Sequence, residues 1–293
     1  LKFDRLRYMV KSRLGSKEFQ NAPERFPGKT AAELMASGLA AEQRGDWQDA
    51  INRYMEAKQK NLHAPGLLFH VGKLATEHND YEAADHAFDY AIKFGENLAA
   101  SYQYRGLIAM RRSDFEAAES YFASSAATDP FPSANYFFWA EALRALGRPA
   151  EAVRRYEEAA QRDESASAKT LCRFKVRLAR IEGTDAAAVE AEIRRTAEAG
   201  PLTPDWLLTE AALQIRRGEM KQASALISQA RATGVVGTFV PFANDTIFRT
   251  AAAKFPEIAV ALGPLTPIGT DTWNPKPLQL APGLGRRGPL PRP

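Results

Sequence analysis

Gly45-Asp46-Trp47, Asn79-Asp80-Tyr81, Ser113-Asp114-Phe115 and Gly147-Arg148-Pro149 follow one another at a constant step of 34 residues, and that step decides the fold. Three residues after each triplet stands an alanine: Ala50, Ala84, Ala118 and Ala152. Four residues further comes an aromatic ring, Tyr54, Phe88, Phe122 or Tyr156, and then a small residue, Ala57, Ala91, Ser125 or Ala159. The same register extends upstream. Gly38, Gly72, Gly106 and Ala140 fall in step, and so do Leu34, Leu68, Tyr102 and Tyr136 four residues before them. A fixed period of this length is the mark of a stacked array.

Apolar residues three and four apart share one helix face. Each unit therefore reads as two helices of about a dozen residues, broken at the Gly/Asn/Ser–Asp pair. The small residue of the first helix and the alanine of the second let the two axes approach closely. The two aromatics flanking that alanine fill the space between hairpins. A single hairpin cannot bury its apolar face alone, so stacking is what stabilises it.

In these residues the chain resembles the tetratricopeptide repeat family, with four consecutive units over 31–64, 65–98, 99–132 and 133–166. The resemblance implies an all-α fold, a right-handed α-α superhelix. Residues 204–237 carry a further unit through Gly218-Glu219-Met220, Ala223, Ile227 and Ala230, and 167–203 fit a diverged hairpin broken at Gly183-Thr184. About six hairpins result. Residues 238–263 do not repeat. Phe239, Phe242, Ile247, Phe248, Phe255, Ile258 and Leu262 have helical spacing, and Pro256 suits a first helical position. We expect a helical C-terminal cap there.

The family's ligands lie along the concave face made by the first helices. The matching places here include Met35, Leu39, Phe69, Lys73, Gln103, Leu107, Phe137 and Glu141, with Tyr104 and Phe138 beside them. The basic and asparagine clamp by which one subgroup grips chaperone C-termini is absent. The face is apolar and aromatic, which suits an extended or helical segment with apolar side chains. The same aromatics also suit packing between neighbouring first helices.

The ends differ from the body. Residues 1–30 carry eight basic and three acidic residues, a net +5; residues 264–293 carry four and one, a net +3. The whole chain is +4, so 31–263 are at −4. A body without a basic face argues against nucleic acid as a partner. Within 1–17, Phe3, Leu6, Val10 and Leu14 form one stripe among Lys2, Arg5, Arg7, Lys11 and Arg13. This basic amphipathic arm fits docking on an acidic partner or an anionic membrane surface, and it also fits packing on the first repeat, as amphipathic helices mostly do. The tail, with eight prolines and four glycines, cannot form a helix, and Trp273, Leu278 and Leu280 are its expected anchors.

Other signals carry no chemistry. Gly283-Leu284-Gly285-Arg286-Arg287-Gly288 lacks the strand and helix that a dinucleotide loop needs. Arg44-Gly45-Asp46 is a hairpin break, and Asn244-Asp245-Thr246 reads as a chance sequon. His63, His70, His78 and His86 do not converge as ligands must, so no metal is expected. One cysteine, Cys172, leaves no internal disulfide and fits a reducing compartment, so a cytoplasmic location is the expectation. The chain begins at Leu1 rather than Met, which leaves room for an upstream targeting segment. We expect a non-catalytic scaffold, assembly factor or accessory subunit without a cofactor, binding other proteins. The alternative is the regulatory region of an enzyme whose catalytic part lies elsewhere.

Overall fold

The computed structural model describes residues 26–60, 64–233 and 236–264. Among these, fifteen helices follow one another without a strand. Twelve pair as antiparallel hairpins: α1 (Ala31–Gln43) with α2 (Trp47–Lys60), α3 (Leu67–Glu77) with α4 (Tyr81–Lys93), α5 (Leu98–Arg111) with α6 (Phe115–Thr128), and α7 (Ser133–Ala145) with α8 (Pro149–Arg162). Two more hairpins follow, α9 (Ala166–Glu182) with α10 (Ala186–Ala199) and α11 (Pro204–Arg217) with α12 (Met220–Thr233). Three short helices close the described chain: α13 (Val236–Ala243), α14 (Thr246–Lys254) and α15 (Pro256–Leu262).

The recurring breaks are made by one device. Gly45, Asn79, Ser113 and Gly147 all take the left-handed conformation, with φ of 81°, 61°, 58° and 71°. That turn ends the first helix. The next residue starts the second: Asp80 accepts from the Ala83 amide at 3.0 Å and Asp114 from the Ala117 amide at 3.1 Å. In the fourth unit Pro149 supplies the start instead, its missing N–H being one that a first turn leaves unpaired anyway.

Inside each hairpin the small residue of the first helix meets the ring of the second. A Cβ placed on Gly38 would stand 2.7 Å from Tyr54, one on Gly72 2.6 Å from Phe88, and one on Gly106 2.6 Å from Phe122. Tyr54, Phe88, Phe122 and Tyr156 are at most 2% exposed. Each such ring contributes about 2–3 kcal/mol by burial. Polar ties then join unit to unit. Lys58 forms a buried ion pair with Glu96 and donates to the Ala64 carbonyl at 2.8 Å, while Glu96 accepts from the Leu68 amide at 2.9 Å. Arg105 spans Asp85 at 2.8 Å and Asp89 at 2.7 Å.

The fifth hairpin departs from the pattern. α9 has 17 residues, and α10 buries only Val189 and Ile193. α9 packs on α8 and α11 as well as on α10, so it carries the stack onward while its own partner sits more loosely. Beyond it, α15 lies on α12, and α13 reaches back to α9 and α11.

Candidate functional site

The first helices of units one to three, with the start of α7, line a groove of about 1060 Å³. Met35 and Leu39 come from α1, Phe69, His70 and Lys73 from α3, and Gln103 and Tyr104 from α5. Pro132, Ser133 and Ala134 close its far end. Met35 is 37% and Leu39 52% exposed, whereas most other large apolar side chains of the described residues are covered. Tyr104 is only 8% exposed and stacks on Phe88 with centroids 4.8 Å apart, with Phe69 edge-on at 5.8 Å. Burial pushes its phenol up to about 12. These rings form a rigid floor.

One wall is polar. Glu42 accepts from the Tyr54 hydroxyl at 2.7 Å and meets His70 Nε2 at 2.9 Å. Burial pushes the Glu42 carboxyl up, but these hydrogen bonds outweigh it and hold the group below its ordinary value. Burial and the Glu42 charge push the Tyr54 phenol up. The wall is thus a donor–acceptor chain that runs from Tyr54 through Glu42 to His70. No three His, Cys, Asp or Glu side chains among the described residues converge for a metal, and no described helix is long and apolar enough to cross a membrane. Burial pushes the Cys172 thiol up to about 11, which leaves it unreactive.

Six of the ten expected groove residues, Met35, Leu39, Phe69, Lys73, Gln103 and Tyr104, therefore line one cavity. The other four do not. Leu107 is 6% exposed and packs with Ala118, Phe122 and Ala142 in the core. Phe138 packs on that cluster with its ring 6.4 Å from Phe122, and Phe137 lies edge-on to Tyr156 at 5.5 Å. Glu141 accepts from the Tyr156 hydroxyl and pairs with Lys175 at 2.8 Å. The physical reason is that each of the four is engaged by side chains of its own or a neighbouring hairpin. The arm residues Arg5, Arg7 and Lys11 and the tail residues Trp273, Leu278 and Leu280 lie outside the described residues.

The start of α14 meets the Glu141 side of unit four through Lys175, which pairs with both Glu141 and Asp245. Asp245 caps that helix, accepting from the Ile247 amide at 3.1 Å. Its carboxylate, buried at 2% exposure, also takes Arg144 of α7 at 2.8 Å and Lys175 of α9 at 2.6 Å. Burial pushes the Asp245 carboxyl up, yet the charges of Lys175 and Arg144 prevail and hold it well below the usual carboxylate range. Phe242 adds an edge-on contact to Phe174 at 5.1 Å. The one local signal for this role was an aspartate just before the apolar run from Ile247. Nothing local linked it to Arg144, 101 positions earlier.

The 34-residue register, the paired helices and the glycine–ring contacts define the class: a tetratricopeptide-type helical solenoid with a C-terminal cap. No protein-family model matches the chain, and no curated protein matches it in sequence. Solved structures resemble it in fold. MamA from residue 41 onward of Desulfovibrio magneticus RS-1 is 13% identical, covering 70% of this chain and 96% of that one, with a TM-score of 0.45. A tetratricopeptide repeat protein from Parabacteroides merdae is 15% identical over 82% of this chain and 90% of that one, at 0.43. Yeast Tom70 is 14% identical over 87% and 60%, at 0.39.

Proposed function

We propose that this chain is a non-catalytic scaffold that holds another protein by an apolar segment laid in the proximal groove. The observation that carries this reading is the groove between α1 and α7, with Met35 and Leu39 exposed at its mouth and a rigid aromatic floor. Large apolar side chains left in the open on a concave face mark contact surfaces. Lys73 and His70 at the rim would set the direction of the segment by meeting its carbonyls or carboxylates. Because the groove's lining ends at Pro132, Ser133 and Ala134, the ligand is short and ends near α7. An assembly factor or a permanent subunit of a larger complex would both use such a site. A reducing, cytoplasmic setting remains our reading of the lone buried thiol.

A photo-crosslinking amino acid in place of Lys73 tests it. In native extract it should join the chain to a small set of proteins that the same residue at Glu157, exposed on the second helix of unit four, does not reach. If both positions capture the same set, the groove is not the binding face. Mapping the crosslinked peptide should then show an apolar segment; a strongly charged one would overturn the ligand class.

A further inference from the structure

Units two, three and four have a neighbour on both sides, whereas among the described residues α1 has a neighbour on one side only. Matched positions show the difference. Gln103 and Leu107 are each 6% exposed; Met35 and Leu39, two units earlier in register, are 37% and 52% exposed. Ala32 and Ala36 are exposed as well. Residues 32, 35, 36 and 39 lie on one face of α1, so an apolar stripe stands open at the first end of the stack. A solenoid end of that kind needs a cover.

Just before α1 the chain runs against α2. The Phe26 amide donates to Glu56 at 3.0 Å, Arg53 lies 4.5 Å over the Phe26 ring, and Lys60 donates to the Lys29 carbonyl at 2.7 Å. Those contacts are all to α2, so α1 keeps its open stripe. Twenty-five residues stand upstream of Phe26, and Phe3, Leu6, Val10 and Leu14 among them share a helical stripe. The connecting residues 15–25 reach up to about 36 Å when extended, more than the ~20 Å length of α1. Charge agrees: residues 1–30 are at +5 and residues 31–263 at −4. A basic arm is drawn to an acidic body and away from a second basic arm.

We propose that residues 1–17 dock as a helix on the Ala32–Leu39 stripe of their own chain, taking the place of the neighbour that α1 lacks. The arm then covers Met35 and Leu39. The docking itself needs no partner, so it stands or falls apart from the proposed function.

The test uses the purified full chain carrying Met35→Cys, with a maleimide as probe. Cys172, 4% exposed, stays silent. Labelling should be about tenfold slower than in the same chain with Leu6→Asp and Val10→Asp, which remove the arm's stripe without touching the body. Equal rates overturn the proposal. p-Benzoylphenylalanine in place of Leu6, in a mixture of heavy and light isotope copies, identifies the occupant. Crosslinks to residues 32–39 within one copy support the arm. Crosslinks only between copies assign the stripe to a second molecule, and crosslinks elsewhere leave it without this cover; either result overturns the proposal.

Discussion

Gly72→Ala should destabilise this protein, although glycine to alanine within a helix ordinarily stabilises. The added Cβ would stand 2.6 Å from Phe88 Cε1 and 2.7 Å from its Cδ1 and Cζ. Phe88 is 0% exposed and lies among Leu68, Val71, Ala84 and Ala91, so the ring cannot withdraw into solvent. Forcing a methyl into a closed core costs about 1–3 kcal/mol. The better helix propensity of alanine returns about 1 kcal/mol. The net is a loss of about 1 kcal/mol. With a urea slope of about 3 kcal/mol/M, the midpoint followed by far-UV circular dichroism falls by about 0.3 M. Unit four supplies a control. Ala140 carries a buried methyl in the cluster with Tyr156, so Ala140→Gly should lose about 2 kcal/mol, from propensity and from the burial it gives up. Combining Gly72→Ala with Phe88→Leu should give a positive coupling, because the second change removes the obstruction. A raised midpoint for Gly72→Ala alone would refute the close-approach argument.

Asp245→Ala leaves Arg144 and Lys175 buried without their shared carboxylate and should cost about 3–5 kcal/mol, read as a lower thermal midpoint. The same carboxyl makes stability depend on acid. Its pKa when folded lies below its ordinary 3.8, so its contribution is complete above that value and drains away as pH falls below it. Asp245→Asn should flatten the loss of stability on acid titration, and an unchanged slope would assign that loss to other groups. Ser113 holds φ of 58° at a place where unit one and unit four use glycine. Ser113→Gly should therefore stabilise by about 0.5–1 kcal/mol, measured by the urea midpoint.

Much of the fold was legible because the array repeats its own local physics. The left-handed break, the capping aspartate, the small residue and the ring each leave a mark at a fixed place, and the 34-residue step aligns the marks. The site was legible only in part, since exposure is not a local property. Gln103 and Met35 hold the same place in their units, yet one is buried and the other open, because neighbours differ along the stack. Periodicity names the face of a helix; it does not say what stands on that face.

The fourth unit shows the same limit from the other side. Glu141, read from register alone, looks like a polar residue offered to a ligand. In the fold it is held by Tyr156 and Lys175, and Lys175 is held in turn by Asp245. A buried ion cluster of this kind adds little stability compared with apolar packing of the same volume. Its geometry is demanding, however. Asp245 must cap α14 and meet two cations from two different first helices at once, which only one placement of the cap satisfies. The cluster thus holds the start of α14 against α7 and α9.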